Sequence, residues 1–268
     1  MSSHTLQIEQ LFIYPVKSLG GIEVSSARLE PRGLAHDRRW MLVDDLGNFI
    51  TQREFPHLAL FEPRIYHDRL VILNRKSGSE IEVPFETSGE KLTAQVWNDQ
   101  VNVPEVSNPV SQWFSSQLQM DVRLVYMPDE TKRKVDHLYA PNKNDVVSFA
   151  DGYPVLIANN ASLADLNFRL GSEVPINRFR PNIVVASPQP YQEDDWFRLK
   201  TKDAELAIVK QCARCVMVNV NPGTGKKEKE VLAELSKYRK HGNKVYFGMN
   251  AVPLKLGTLS VGDSIEIF

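Results

Sequence analysis

The chain has only two cysteines in 268 residues, Cys212 and Cys215. This scarcity excludes a disulfide-stabilised scaffold, a zinc site of four thiolates and a cysteine-ligated iron–sulfur cluster, because each needs more thiols. Few cysteines also agree with a reducing compartment, so we expect the protein to be cytoplasmic.

Neither sign of charge dominates, since 32 Lys and Arg residues offset 33 Asp and Glu residues to give a formal net charge of -1. No strongly basic surface for nucleic acid or for a membrane is therefore expected. No stretch approaches the roughly 18 apolar residues of a membrane-spanning helix, and the first residues lack the basic and apolar regions of a signal peptide. A G-x-G-x-x-G motif for a dinucleotide is also missing.

Short strand-like segments separated by turn signals fill the first 107 residues, which predicts a mostly β structure. One strand is expected over 6–14, with a change of parity near Gln10 that indicates a bulge. A second is expected over 22–29. Two hairpins follow, one pairing 39–43 with 48–53 around Asp44 to Gly47, and one pairing 70–73 with 80–83.

The rest of the chain mixes strands with three helices. Helices are expected from Asn108 and Pro109 to residue 118, over 161–170 with Asn160 as the cap, and over 229–240 with Gly242 at the end. Strands are expected over 122–126, 182–185, 204–210, 216–220, 244–247 and 264–268. The polar, unperiodic segment 127–146 predicts a long loop, and loops of that length are usually functional or disordered.

The two cysteines lie in the run Lys210-Gln211-Cys212-Ala213-Arg214-Cys215, between two predicted strands. In the predicted turn, the charges of Lys210 and Arg214 favour the thiolate, which ligates metals or attacks electrophiles. Two alternative interpretations of the cysteines remain open. The cysteines could be small core residues, or a C-x-x-C redox pair, although that motif opens a helix and the flanks here predict strands.

Four polar clusters lie in turns beside predicted strands. Taken singly, each fits a solvated or salt-bridged turn. Together, their guanidinium groups and exposed backbone N–H groups suit a phosphate or a pterin-like ligand. The clusters are Pro15-Val16-Lys17-Ser18, Gly33-Leu-Ala-His-Asp37-Arg38-Arg39, Ser148-Phe-Ala-Asp151-Gly152-Tyr153-Pro154 and Asn177-Arg178-Phe179-Arg180-Pro181-Asn182.

These motifs resemble those of the molybdenum cofactor sulfurase C-terminal domain (MOSC) family, in the branch of the mitochondrial amidoxime reducing component and its bacterial relatives. The matches follow the family's order along nearly the whole chain. They are Leu11-Phe-Ile-Tyr-Pro-Val-Lys-Ser18, Gly33-Leu-Ala-His-Asp-Arg38 with Trp40, Phe149-Ala-Asp-Gly-Tyr-Pro154, Ala161-Ser-Leu-Ala-Asp-Leu166, Asn177-Arg-Phe-Arg-Pro-Asn-Ile-Val184 and Cys212-Ala-Arg-Cys215. Two positions depart, with Asn221 where many relatives carry Asp and Met249 where they often carry glutamine.

The resemblance implies a mixed, predominantly β fold, with a MOSC N-terminal β-barrel region over 1–126 and a MOSC β-barrel domain with peripheral helices over 127–268. It implies that Cys215 is the protein ligand to the molybdenum of a molybdopterin cofactor and that Cys212 is not a ligand. Soft thiolate suits a metal already held by dithiolene sulfurs. The implied cofactor-binding residues are Lys17, Ser18, Arg38, Asp151, Gly152, Tyr153, Arg180, Asn182, Arg214 and Asn250.

The activity implied by the resemblance is reduction of N-hydroxylated compounds such as amidoximes, hydroxylamines and N-hydroxylated bases. At family level the resemblance also carries pyridoxal phosphate binding. Two other classes of function stay open. Cys215 could carry sulfur or hand on the cofactor without turnover, or the chain could be a β-barrel interaction module without a cofactor.

Electrons for such a reductase are expected to come from a ferredoxin-type or other external donor, because this chain lacks the cysteines of a ferredoxin cluster. Some bacterial relatives continue into a ferredoxin domain, so the chain is either served by a separate protein or is a fragment of a longer one. The segment 129–145 offers Lys132, Arg133, Lys134 and Lys143 as a docking patch for an acidic partner.

Overall fold

The computed structural model describes residues 6–268. The prediction that the first residues do not form a signal peptide falls partly on residues 1–5, which lie outside this description. Twenty-one strands, three α-helices and four short 3-10 helices make up the regular structure of residues 6–268. The strands are β1 (Leu6–Ile13), β2 (Ile22–Val24), β3 (Ser26–Glu30), β4 (Gly33–Leu34), β5 (Trp40–Val43), β6 (Phe61–Ile65), β7 (Arg69–Asn74), β8 (Glu80–Pro84), β9 (Lys91–Val96), β10 (Asp99–Pro104), β11 (Arg123–Tyr126), β12 (Arg133–Lys134), β13 (Val146–Val147), β14 (Val155–Asn159), β15 (Ile183–Ala186), β16 (Arg198–Lys200), β17 (Glu205–Arg214), β18 (Lys240–His241), β19 (Lys244–Lys255), β20 (Gly257–Ser260) and β21 (Ser264–Ile267). The helices are α1 (Asn108–Leu118), α2 (Asn160–Leu170) and α3 (Glu230–Tyr238).

Seven strands close into a barrel, in the order β14, β15, β1, β21, β16, β17 and β19, with β19 pairing back to β14. Only the β14 and β15 pair is parallel; every other pairing in the ring is antiparallel. Closure removes free sheet edges, so each strand of the ring has two hydrogen-bonded neighbours. The predicted, predominantly β fold with a barrel is confirmed.

The barrel interior is filled by aliphatic side chains that alternate along the strands. In β1 the inward-facing residues are Ile8, Leu11 and Ile13, so the spacing changes from three to two. The register of β1 against β15 shifts between Ile8 and Gln10, and this bulge lets all three side chains face the interior. The parity change near Gln10 therefore predicted a real bulge.

The N-terminal part adds smaller sheets around a second core. The predicted hairpin of β7 and β8 is present, β6 pairs with β7, and β5 pairs with β11. Helix α1 packs Trp113 and Phe114 against Phe61 in this core. The first strands of the chain nevertheless belong to the other part, because β1 lies in the barrel and β3 pairs with β20. The division at residue 126 stays a prediction.

Helices α2 and α3 lie outside the barrel, as expected for peripheral helices. Leu166 of α2 and Leu235 of α3 are fully buried in a third core with Phe179 and Phe247, whose rings stack at 4.0 Å. This layer fixes the segment Ile176–Phe179 that leads to Arg180. Among the described residues, no helix is long and apolar enough to span a membrane.

Several local predictions were wrong. The segment 216–220 is not a strand, because Val216–Asn219 forms a 3-10 helix directly after Cys215. Residues 48–53 contribute only isolated bridges at Asn48 and Phe49, and 22–29 is split between β2 and β3.

The predicted helix ends are displaced as well. The residue preceding α1 is Ser107, and Asn159 caps α2 by accepting a hydrogen bond from Ala161 N. Gly242 does not end α3. It sits with a φ of +60° between β18 and β19, where a tight hairpin turn needs the left-handed conformation that glycine adopts readily.

Gly33→Ala should destabilise the protein more than Gly78→Ala. Both glycines have a positive φ, so alanine costs about 1–2 kcal/mol of backbone strain at either position. At Gly33 the added Cβ would also lie 2.4 Å from the carbonyl oxygen of Pro154, whereas at Gly78 it meets nothing within 4 Å. Urea unfolding should show the larger loss for Gly33→Ala; equal losses would mean that the contact with Pro154 is easily relieved.

Candidate functional site

One cleft is lined by all eleven residues that the sequence singled out for a cofactor or metal. They are Lys17, Ser18, Arg38, Asp151, Gly152, Tyr153, Arg180, Asn182, Arg214, Cys215 and Asn250. The cleft is concave and partly open to solvent. Their convergence is a structural fact, while their binding roles stay predictions.

Lys17 and Asp151 form an ion pair across the cleft, between residues far apart in the sequence. Lys17 Nζ donates to Asp151 Oδ1 at 2.5 Å and to Phe149 O at 2.8 Å. Burial lowers the pKa of Lys17, and Asp151 opposes this effect. The Asp151 side chain is exposed to the cleft, but the protein around it partly desolvates the carboxyl, which would raise its pKa. The Lys17 ammonium and hydrogen bonds from Lys17 and Trp97 outweigh this effect and hold the pKa well below its usual range. Asp151 therefore stays a carboxylate at neutral pH.

Arg38 is held by Asp37, which the sequence analysis did not assign to the site, and by two residues that it did assign, Asn182 and Arg180. Arg38 Nη1 donates to the buried carboxylate of Asp37 at 2.6 Å and to Asn182 Oδ1 at 3.0 Å, and its Nη2 donates to Arg180 O at 3.0 Å. Asp37 also accepts from Tyr14 N at 2.8 Å. Asn182 lines the cleft, but its oxygen accepts from Arg38 and Leu156 N, so its side chain orients Arg38 and the strands.

Arg180 stands beside Arg38, with the ring of Tyr14 next to both guanidinium groups. The guanidinium carbons of Arg38 and Arg180 lie 4.3 and 4.2 Å from the Tyr14 ring centroid. Arg180 Nη1 donates to Leu19 O at 2.6 Å. Burial, and then the charge of Arg38, lowers the pKa of Arg180 to about 10, so it remains cationic at neutral pH. Two adjacent cations fit a ligand with concentrated negative charge.

The cysteines differ from the predicted arrangement in three ways. Cys212 lies within β17 and Cys215 directly after it, so they do not share a turn between two strands. Arg214 Nη1 donates to Cys212 Sγ at 2.9 Å, as expected for residues two apart on one face of a strand, and not to Cys215. The Lys210 ammonium lies over the Tyr139 ring at 3.8 Å from its centroid and does not line the cleft. Cys215 remains exposed in the cleft, whereas Cys212 is half-buried.

Arg53 and Arg178 also line the cleft, and the sequence analysis had assigned neither to the site. The lining contains one carboxylate, Asp151, and six cationic side chains, namely Lys17, Arg38, Arg53, Arg178, Arg180 and Arg214. Two further carboxylates behind the lining offset part of this charge, since Asp37 pairs with Arg38 and Glu228 pairs with Arg178. Arg178 Nε and Nη1 and Arg214 Nε are buried and make no hydrogen bond to any of residues 6–268. Buried donors without partners are costly, which fits a site that is completed by an anionic ligand. For Arg178, its place in the motif beside Arg180 was an available signal.

The remaining lining residues contribute shape and polar groups. Burial raises the pKa of Tyr153 to about 12, so its phenol is a neutral donor. A Cβ at Gly152 would meet nothing within 4 Å. Asn250 Nδ2 donates to Gln211 O at 3.5 Å, while Met249 on the same strand points into the barrel core.

Arg133, predicted to belong to a docking patch, is buried instead. Its guanidinium donates to Asp99 Oδ2 at 2.7 Å and to the carbonyl oxygens of Ser148, Ala150 and Asp151. It therefore holds the loop that carries Asp151. Lys132, Lys134 and Lys143 are exposed, as the docking prediction requires.

A metal in this cleft could take only limited ligation from the protein. Within the described range 6–268, no group of three or more His, Cys, Asp or Glu side chains is placed to hold a metal ion. Cys215 can supply one soft ligand, so a bound metal would have to bring most of its ligands with it.

Two family models match the chain in sequence. The MOSC N-terminal beta barrel domain covers residues 5–121, and the MOSC domain covers residues 144–266. The barrel, its flanking helices and the cleft thus belong to a protein of the MOSC family, as the sequence motifs indicated.

Relatives locate the chain within this family. Mitochondrial amidoxime reducing component 2 of Bos taurus is 33% identical over 276 residues, 96% of this chain and 82% of the relative. Mitochondrial amidoxime-reducing component 1 of Homo sapiens is 33% identical over 97% of this chain and 82% of its own length. Molybdenum cofactor sulfurase of Oryza sativa subsp. japonica is 28% identical over 91% of this chain but only 32% of its own length. The chain belongs to the branch of the amidoxime reducing components.

Proposed function

We propose that the chain is a molybdenum-cofactor-dependent oxidoreductase that reduces N-hydroxylated compounds with electrons from an external redox protein. The observation that carries this proposal is the exposed thiol of Cys215 in a cleft lined by six cations. Kinship with amidoxime reducing components supports the reaction class. The reaction takes two electrons and two protons, breaks the N–O bond and releases water.

The cleft residues fit molybdopterin in charge and in ligand type. Cys215 would supply one thiolate to a metal whose other sulfur ligands belong to the cofactor. Arg38 and Arg180 would bind the phosphate by charge-assisted hydrogen bonds, and the unpartnered donors of Arg178 and Arg214 support an anion there. The Asp151 carboxylate, 64% exposed in its side chain, would accept from the pterin N–H groups. The cofactor supplies the two-electron redox chemistry.

Pyridoxal phosphate has no role in this proposal. A Schiff base needs a lysine with a free amine, and Lys17, the lysine of the cleft, has its Nζ bound to Asp151 and Phe149. The cytoplasmic location stays a prediction, and the two amidoxime-reducing relatives named above are mitochondrial.

A second candidate is a sulfur carrier or cofactor-handling protein. It is favoured by the similarity to a molybdenum cofactor sulfurase and by the exposure of Cys215, which leaves room for a persulfide. Metal analysis separates the two candidates. Stoichiometric molybdenum with amidoxime turnover supports the reductase, whereas a persulfide on Cys215 without turnover supports the carrier.

Cys215→Ala should abolish amidoxime reduction, while Cys212→Ala should retain much of it. The reason is that Cys215 faces the cleft as an exposed thiol, whereas Cys212 is half-buried against Arg214. Both variants should keep the wild-type circular dichroism spectrum, and activity with a chemical reductant is the measurement. Equal loss in two folded variants would instead favour a dithiol mechanism.

Arg180→Ala should lower the molybdenum content of the purified protein. Each charge-assisted hydrogen bond to a phosphate contributes about 1.5–3 kcal/mol, so losing the guanidinium weakens retention at least tenfold. Arg38→Lys is the better second variant, because it preserves the positive charge beside buried Asp37 while removing the fork of donors. Arg64→Ala, an exposed site outside the cleft, is the control. An unchanged molybdenum content in both the Arg180 and the Arg38 variants would rule out a phosphate site formed by these two residues.

Turnover should depend on a separate electron donor. A reduced dye should support turnover, whereas NADPH alone should not. NADPH should support turnover once a ferredoxin-type protein and its reductase are added, and the rate of this reaction should fall as the salt concentration rises. Changing exposed Lys134 and Lys143 to Glu should slow only the protein-driven reaction, because it removes attraction for an acidic partner. Lys91 and Lys202, exposed elsewhere, give the matched double control. Turnover with NADPH alone would contradict the prediction.

A further inference from the structure

The turn between β9 and β10 contains a residue whose backbone conformation is energetically unfavourable for a side chain other than glycine. Trp97 has a φ of +56°, a left-handed conformation that two-residue hairpin turns usually assign to glycine, asparagine or aspartate. Its side chain is 42% exposed, so burial of the indole does not explain the residue. Strain of this kind persists only where surrounding contacts fix it, and such positions cluster at functional sites.

Two sets of contacts fix the hairpin tip against the cleft. Trp97 Nε1 donates to Asp151 Oδ1 at 3.1 Å, the same oxygen that accepts from Lys17. Two residues further on, Asp99 accepts from buried Arg133, whose other donors bind Ala150 O and Asp151 O. The indole and the Asp151 loop are therefore held in one fixed arrangement.

Trp97 lies just outside the cleft lining and contacts three residues that belong to it, Phe49, Arg53 and Asp151. The Arg53 guanidinium lies 4.4 Å from the Trp97 ring centroid, and the Phe49 and Trp97 rings lie 5.3 Å apart. Phe49 and Arg53 line the cleft that contains Cys215. Arg53 makes no ion pair with any of residues 6–268. A stacked guanidinium without a carboxylate partner can receive both a flat ring and an acceptor oxygen.

We propose that Phe49, Arg53 and Trp97 form a wall that selects planar N-hydroxylated substrates, with Arg53 binding a carboxylate or carbonyl oxygen of the substrate. This inference rests on the proposed reductase function and specifies the substrate class for the same cleft. Flat π systems gain from aromatic and guanidinium stacking, which aliphatic hydroxylamines and amidoximes cannot match.

The test compares kcat/KM for three probes with the cofactor-loaded enzyme and a chemical reductant: benzamidoxime, its 4-carboxylate and acetamidoxime. Trp97→Leu should lower the preference for benzamidoxime over acetamidoxime about three- to tenfold. Trp97→Phe should keep most of the preference, since it retains a ring and loses only the bond to Asp151. Tyr66→Leu, which removes an exposed tyrosine stacked with Arg69 outside the cleft lining, should change nothing.

Arg53→Gln should lower the preference for the 4-carboxylate over benzamidoxime about tenfold, at an unchanged molybdenum content. An unchanged preference for benzamidoxime over acetamidoxime in Trp97→Leu would contradict the wall. An equal loss of this preference in Trp97→Leu and Trp97→Phe would also contradict it, because the effect would then come from the hydrogen bond to Asp151. A lower molybdenum content in Arg53→Gln would overturn the role of Arg53, because it would then belong to the cofactor.

Binding of benzamide, which is neutral and planar and has no N–O bond to reduce, separates this inference from the proposed function. Calorimetry should show weaker binding to Trp97→Leu than to the wild type, by the same three- to tenfold, about the value of one aromatic contact. If Trp97→Leu binds the probe more weakly but the wild type turns over no N-hydroxylated compound, the proposed function is contradicted and the wall is still supported. Equal benzamide affinity of Trp97→Leu and the wild type in an active enzyme would contradict the wall alone.

Discussion

The cleft depends on the side chain of Asn182, because this one buried amide joins three segments of the chain. Its nitrogen donates to Phe12 O in β1, and its oxygen accepts from Leu156 N in β14 and from Arg38. Backbone hydrogen bonds from Asn182 N to Leu156 O and from Phe12 N to Asn182 O reinforce the same junction. A buried amide that is bonded through both its oxygen and its nitrogen restricts how its partners can be arranged, so barrel closure and the direction of Arg38 are coupled.

Around this junction the protein concentrates both positive charge and backbone strain. Ser18, Arg38 and Arg180 all line the cleft with φ between +50° and +69°. Such conformations cost of the order of 1–3 kcal/mol each and last only where neighbouring contacts over-determine them. Here Asp37 and Asn182 hold Arg38, and Leu19 O holds Arg180. A positive cleft prepared in this way does not need to reorganise when an anion binds.

The N-terminal and C-terminal parts of the chain are coupled through the cleft. Lys17 reaches Asp151 from the end of β1, while Asp99 reaches the same loop through Arg133. Val16 and Trp40 form a further bridge that sets the position of Lys17 relative to β5. Since residues from both parts complete the site, a fragment with only one part would have an incomplete cleft, whatever the exact domain boundary.

The sequence alone determined the parts of the structure that follow from local pattern. Hydrophobic alternation predicted β1 and its bulge at Gln10, because the period of two is a property of each strand by itself. Motif order likewise predicted which polar residues would meet at the cleft. Tertiary structure alone decided the direction of other cations: Arg133 turned inward to carbonyl oxygens, and Lys210 turned to Tyr139. Those outcomes depend on partners distant in the sequence and on burial that makes an unpaired charge costly, which no local pattern of residues encodes.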